Sequence, residues 1–213
     1  MAKTQKPVVG RRPEIADLVP MNAKKILDVG CHAGDVGALI KSRIDCKVCG
    51  IEIDREKAAQ ASSKLDKVIT GDIEAMDPGL DKGSFDCIIF ADVLEHLKNP
   101  LKTLKKYGDY LKDDGIFIIS LPNVRHIKVL FDTAVLGEWK YESFGIMDET
   151  HLRFFTLKSS RRMFREAGLR SVLKNRIFSL KGSRLINFLT LGIFKDLLTA
   201  QYVFVVYKKK VQT

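Results

Sequence analysis

The sequence predicts an α/β protein built on a mostly parallel sheet with helices on both faces. Three observations predict it. Short apolar runs rich in Val, Ile and Phe recur at 25–29, 47–53, 67–70, 85–91 and 116–120. Stretches with helical spacing separate them, long enough for the right-handed crossovers that join parallel strands. The first, third and fourth runs close on glycine or an acid, at Gly30, at Gly71 and Asp72, and at Asp92, as buried strands do when they open into a turn.

The elements follow in order. Residues 1–12 are polar and are expected to be loose, and 14–19 has the makings of a short helix ended near Pro20. In KKILDVGCHAGDVG, the first strand stops at Gly30, and Gly34 and Gly37 bracket the start of a helical pattern carried by Val36, Leu39 and Ile40. Strand, glycine turn and helix bring backbone N–H groups close to a ligand, because glycine has no Cβ to hold it off. The second strand, KVCGIEI, is followed by a helix over 54–65 with Asp54 as its N-cap. After the third and fourth strands, helix is expected from about Leu94 and again over 100–111, and Asp113, Asp114 and Gly115 form a turn into the fifth strand, which stops at Pro122.

Beyond Pro122 the alternation breaks. Residues 123–156 carry many of the late aromatics and read as an insertion lying over the carboxyl edge of the sheet. Helix returns over 157–167 with Gly168 as its stop, a strand is expected over 169–178, an apolar helical segment over 184–200, and a final strand at YVFVVY, 202–207.

Composition bounds the function. The 213 residues are 46% hydrophobic and 29% charged, an ordinary globular balance. Lys and Arg number 36 against 26 Asp and Glu, a net +10 that suits anionic partners or a solvated basic surface. Four cysteines make no disulfide framework in a chain of this size. Cys46 and Cys49, three apart in a strand, point to opposite faces, and no metal site is expected. Residues 1–20 lack the apolar core of a signal peptide, so a cytoplasmic location is the expectation.

In open α/β sheets ligands bind at the carboxyl ends of the strands, where strand order reverses. The first strand brings Asp28 and Gly30 there, and the second ends at Glu52, about twenty residues past the turn, where an acid can hold a ribose diol. The third ends at Asp72, suited to an exocyclic amine, and the fourth at Ala91 and Asp92, followed by Leu94, Glu95 and His96. A nucleoside ligand satisfies all of them.

The segments ILDVGCHAG, GIEID, TGDIE, FDCIIFADVLEHL and DDGIFIISLPN, in that order, resemble a class I S-adenosylmethionine (SAM) dependent methyltransferase. The resemblance implies a Rossmann-like, seven-stranded sheet of order 3-2-1-4-5-7-6 with strand 7 antiparallel, helices on both faces and a lid insertion after strand 5. It implies one methyltransferase domain over 1–213, with a lid and substrate insertion at 123–156 and an apolar helical insertion at 179–200. It further implies SAM as cofactor, with Asp28, Gly30, Cys31, His32 and Gly34 around its methionine part, Glu52 and Ile53 at the ribose, Asp72 and Ile73 at the adenine, and Ala91 and Asp92 beside the methionine ammonium. The chain departs from the family's D-x-G-x-G-x-G at His32, which stands where the middle glycine does. The stretch DETHLRFFT, 148–156, is similar to a D-x-T-H-L-R-F-F-T lid segment in a bacterial subgroup associated with small-molecule and glycan pathways.

Methyl transfer is an in-line displacement, so positioning supplies much of the acceleration, and a hydroxyl acceptor also needs a base. His96 is the first candidate and His151 the second. Arg153 is a candidate anion clamp, and Asn123 and His126 are further candidate substrate contacts. Each has a plain alternative as a packing or loop residue. The acceptor class expected is a small molecule or glycan. A nucleic-acid acceptor is disfavoured by dispersed basic residues without an aromatic-laced stripe, and by ADVLEHL where base N-methyltransferases place [DN]-P-P-[YF]. A nicotinamide-dependent oxidoreductase lacks its G-x-G-x-x-G here, and a SAM-binding protein without catalysis stays open through His32. Residues 185–198 are too short and too interrupted to span a bilayer. They read as a lid helix, a dimer contact or an interfacial segment making peripheral membrane contact. Oligomeric state is not legible.

Overall fold

The structure, a computed structural model, describes residues 12–179 and 188–209. In chain order the elements are α1 (Pro13–Ala16), β1 (Lys25–Val29), α2 (Asp35–Lys41), β2 (Lys47–Glu52), α3 (Arg55–Ser62), β3 (Lys67–Thr70), β4 (Phe85–Ala91), a 3₁₀ turn at Leu94–His96, α4 (Pro100–Gly108), β5 (Leu111–Pro122), α5 (Ile127–Ala134), α6 (Leu157–Glu166), β6 (Leu169–Phe178), α7 (Lys195–Leu198) and β7 (Thr199–Lys208). The strands form one seven-stranded sheet in the order β3-β2-β1-β4-β5-β7-β6, with β7 antiparallel to both neighbours. This is the topology and Rossmann-like class expected.

Strand alternation divides the core. Leu27, Val29, Ile88, Phe90, Phe117, Ile119 and Phe204 face α4 and α6, where Tyr107 and Phe164 complete one cluster. Ile26, Cys87, Ile89, Ile118, Val203 and Val205 face the other way, onto Ile15 and Ile40. The period of two in each strand sends successive side chains to opposite layers. Phe164 meets Phe204 edge to face at 5.1 Å between centroids, an arrangement that adds to the area it buries.

The local signals act as expected at several boundaries. The Asp54 carboxylate accepts from the amides of Glu56 and Lys57 and caps α3, and Gly168, at φ +77°, stops α6.

Other boundaries differ. Asp113, Asp114 and Gly115 do not turn into a strand but lie inside β5, which begins at Leu111 opposite Phe85. A register shift between Phe85 and Cys87 absorbs the extra residues, and Gly115 is needed because a Cβ there would sit 2.8 Å from the Leu111 side chain. Accordingly α4 ends at Gly108. The apolar segment expected as one helix over 184–200 lies in part outside the described residues. Of the described part, Phe188 and Leu189 are helical, and 190–194 is a run of turns, with Leu191 and Gly192 both at positive φ, that leads into α7. Arg12 is not loose: its guanidinium reaches Asp92, Glu14 and Gln201 across the carboxyl edge.

Between β5 and α6 the chain forms α5 and returns beside the sheet through a bridge of Asn123 with Phe155. No helix among the described residues is long and apolar enough to cross a membrane.

Candidate functional site

Register sets the site. Val29 of β1 lies opposite Ile51 of β2 and Phe90 of β4, so the residues that follow each, Gly30, Glu52 and Ala91, emerge side by side where strand order reverses between β1 and β4.

Gly30 sits at φ +71°, and a Cβ on it would come within 2.5 Å of Val93 Cγ2. Only glycine combines that conformation with that approach. The amides of Gly30 and Cys31 both donate to the Ile51 carbonyl, at 2.8 and 3.1 Å, pinning the loop to β2. The Cys31 side chain packs beneath the loop against Gly50, and burial pushes its thiol well up, leaving an inert filler. His32, at φ +49°, holds the left-handed conformation that a glycine would take. Its amide donates to Glu52 Oε2 at 2.7 Å. The departure from the glycine pattern therefore leaves the turn intact. Gly34 at φ +79° opens α2.

Glu52 is the hub of this loop. Oε1 accepts from the amides of Ile53 and Asp54 at 2.9 and 3.0 Å, and the residue is only 8% exposed. Ile53 lies beside it, strongly exposed for an isoleucine. Below the loop, Asp28 is buried with Oδ2 lacking a hydrogen-bond partner, and burial, then the charge of Glu52, pushes its carboxyl up to about 7. Asp72 is exposed and accepts from the Glu74 amide at 2.8 Å, while Ile73 is buried and its carbonyl is held by Lys106 Nζ. These features fit a nucleoside cofactor with a cationic end: a buried orphan acid, a turn that admits no Cβ at Gly30, an anchored carboxylate and an apolar rim at Ile53.

Beyond Ala91 the chain carries a second cluster. Asp92 takes positive φ, +59°, and is engaged by Ser120 Oγ, Gln201 Nε2 and the Arg12 guanidinium. The Glu95 carbonyl accepts from the amides of both Leu152 and Arg153 at 2.9 Å, which fastens the DETHLRFFT stretch over the 3₁₀ turn. That fastening brings the His96 and His151 rings to 4.8 Å, edge to face.

The protons of the two histidines follow from their partners. His96 Nδ1 lies 3.3 Å from the Thr150 carbonyl and 3.1 Å from Thr150 Oγ1, whose own hydrogen goes to Asp148 at 2.5 Å. A carbonyl only accepts, so the proton is on Nδ1 and the lone pair on Nε2. The same logic at His151, whose Nδ1 faces the Ile146 carbonyl at 3.0 Å, leaves its Nε2 basic. Burial, and the neighbouring His96, depress His151. The Glu95 carboxyl is wholly buried beside them with Oε2 unpartnered, and burial, reinforced by Asp92, raises it well above the usual carboxylate range. Glu95, His96 and His151 each offer a ligand atom, all within 4.8 Å of one another, a spacing that a divalent cation can use.

The three substrate candidates stand apart from this pair. Asn123 is fully buried and donates from Nδ2 to the Asp196 and Thr199 carbonyls while Oδ1 accepts from the Arg125 amide. His126, also buried, caps α5 through Nδ1 and meets Ser179 Oγ with Nε2. The Arg153 guanidinium is exposed and donates twice to the Lys98 carbonyl. The first two have their polar atoms taken by these bonds within the chain. Sequence reasoning did not single out Arg12, Ser120, Thr150, Gln201 or Glu95 as site residues. Only Glu95 had a signal, its place in ADVLEHL.

Sheet order, switch-point loop and anchored acid together define a nucleoside-cofactor domain with a pair of histidines beside its carboxyl edge. The chain belongs to the methyltransferase domain family, whose sequence model it matches over residues 10–174. S-adenosylmethionine is accordingly its cofactor. It is similar to the ubiquinone biosynthesis O-methyltransferase of Thiobacillus denitrificans, 27% identical over 159 residues, which cover 70% of this chain and 66% of that enzyme. It is also similar to the uncharacterised protein MJ1252 of Methanocaldococcus jannaschii, 30% identical over 116 residues, 54% of this chain and 43% of that protein. The chain thus spans less than two thirds of the length of these curated relatives. Among solved structures it shares its fold with a SAM-dependent methyltransferase from Archaeoglobus fulgidus, at TM-score 0.64 and 19% identity over 89% of this chain and 87% of that one. A second, from Mesorhizobium loti, aligns at TM-score 0.62 and 13% identity over 91% and 95%.

Proposed function

We infer that the protein methylates a hydroxyl of a small-molecule or glycan-type acceptor, with His96 Nε2 as the base and His151 beside it as a second proton acceptor. One observation carries this: Thr150, itself oriented by Asp148, fixes the His96 proton on Nδ1 and turns a basic nitrogen outward at the carboxyl edge. SAM supplies an electrophilic methyl group. The chain's own residues do the rest. Glu52 and the loop from Gly30 to Gly34 hold the nucleoside end, Asp28 balances positive charge, and the DETHLRFFT stretch positions the histidine pair. The relative from Thiobacillus denitrificans carries O-methylation in its name, which supports an oxygen acceptor. The DETHLRFFT lid supports the bacterial small-molecule and glycan subgroup, with Arg153 on an acidic group of the acceptor. We place the protein in the cytoplasm, where SAM is made.

A second reading rests on the spacing of Glu95, His96 and His151: a divalent cation held there would bind and acidify the hydroxyl in place of an imidazole. The test is to incubate purified protein and SAM with phenols, catechols and sugars and to follow S-adenosylhomocysteine release. Product with hydroxyl acceptors is expected, and turnover confined to amines or RNA would overturn the O-methyl assignment.

A further inference from the structure

On the α6 side of the sheet lies a cavity of about 310 Å³ whose wall carries Arg125, Lys158, Arg161 and Arg165 together with Asp196 and Tyr202. The one acid in that wall, Asp196, is taken by Arg176. Among the described residues no carboxylate pairs with any of the four cations. The first turn of α6 adds its partial positive charge to the same wall. Like charges gathered in a concave space with no counter-charge mark a place where an anion is stabilised by several groups at once.

Directly beside it the chain does something unusual for a folded protein. Phe188, Leu189, Leu191, Ile193 and Phe194 are all exposed, Leu191 by 91%. Phe188 and Leu189 are helical, and the turns that follow are ordered by bonds from the Leu191 amide to Phe188, Ile193 to Thr190 and Lys195 to Gly192. Positive φ at Leu191 and Gly192 sends the chain round without an inward face. This turn enters α7, whose second residue is Asp196 of the cavity wall. Apolar ridge and cationic cavity are therefore adjoining parts of one surface. A second copy of the chain is a poor occupant, since a two-fold contact sets the cations of one protomer near those of the other. A surface that offers apolar side chains next to clustered Lys and Arg matches the acyl boundary and phosphates of an anionic bilayer, which needs both signals for stable attachment.

We propose that the cavity is a binding site for the phosphate of an anionic lipid headgroup and that the turn 188–194 inserts its apolar side chains beside it, docking the protein on a membrane surface. The test is vesicle flotation of the full chain with phosphatidylcholine alone and with phosphatidylcholine plus phosphatidylglycerol. Flotation with the anionic vesicles only, released by high salt, is expected. Leu191→Ser with Ile193→Ser, and separately Arg161→Glu with Arg165→Glu, each lower the bound fraction by about tenfold or more. These positions are exposed, and unchanged thermal unfolding certifies the fold of each variant. Equal flotation on both vesicles, or variants that float like the wild type, would overturn the proposal. So would pyrophosphate that binds the wild type in calorimetry while vesicles do not, which reassigns the cavity to a soluble phosphorylated ligand. A dimer that the Leu191 and Ile193 variant converts to monomer, without loss of flotation, would likewise make the turn a subunit contact.

Discussion

The amide of His32 donates to the carboxylate of Glu52 at 2.7 Å, so the residue that breaks the glycine pattern of the loop is tied to the acid that ends β2. Glu52 accepts two further amides, from Ile53 and Asp54. It shapes the loop through these three bonds, and in the proposed function it also offers a charge to the ribose.

Glu52→Ala should therefore damage two properties. It leaves three amides short of their acceptor, a destabilisation of about 1–3 kcal/mol, and it removes the ribose partner, weakening SAM binding by about tenfold or more. Calorimetry and urea unfolding measure the two separately. Wild-type affinity in the variant would mean that the ribose lies elsewhere.

Asp28 makes stability depend on pH in a definite direction. Its carboxyl is raised to about 7 in the folded protein, against about 4 when unfolded. Between those values the folded state binds more protons, so this contribution is fully present below about pH 4 and is lost as pH rises through 7. Asp28→Asn should raise stability at pH 8 relative to wild type by on the order of a few kcal/mol, with little difference at pH 4. Urea midpoints that differ by the same amount at both pH values would exclude the orphan acid as the cause.

The histidine pair separates base from scaffold. His96→Gln should leave SAM affinity intact and lower kcat by about 10²- to 10⁴-fold. His151→Gln should lower it less, and since burial depresses His151, any acid limb that it contributes lies below the ordinary imidazole range. Dialysis against a chelator should leave turnover unchanged. Loss restored by Mg²⁺ or Zn²⁺ would transfer the proton-removing role to a cation on Glu95, His96 and His151.

Gly30→Ala meets two penalties, the left-handed backbone and the 2.5 Å approach to Val93 Cγ2. Together they should cost about 2–4 kcal/mol. Adding Val93→Ala relieves the contact but not the backbone, so partial recovery of the urea midpoint is expected. Full recovery would show that φ at this position is free to change.

Legibility followed the range of the interactions. The loop at Gly30, the cap at Asp54 and the acid at Glu52 were readable because local rules dictate them: a turn that only glycine can make, a helix start, a strand end. Arg12 with Asp92 was not, because 80 residues separate them. Asp113, Asp114 and Gly115 read as a turn by composition, yet pairing of Leu111 with Phe85 draws them into β5. Asn123 and His126 had polar side chains after a strand, the same signature as a binding residue, and only the structure shows both buried and hydrogen-bonded within the chain.

What the sequence determined by itself was the sheet, its order by resemblance, and the polar residues at successive strand ends, since periodicity and turn chemistry act over a few residues. What tertiary structure decided was the proton chemistry and the surface. His96 keeps its lone pair on Nε2 because the Glu95 carbonyl fastens a segment more than fifty residues away and so places Thr150 on Nδ1. The exposed turn became visible only in the folded chain, where Phe188, Leu189, Leu191, Ile193 and Phe194 stay outside the core.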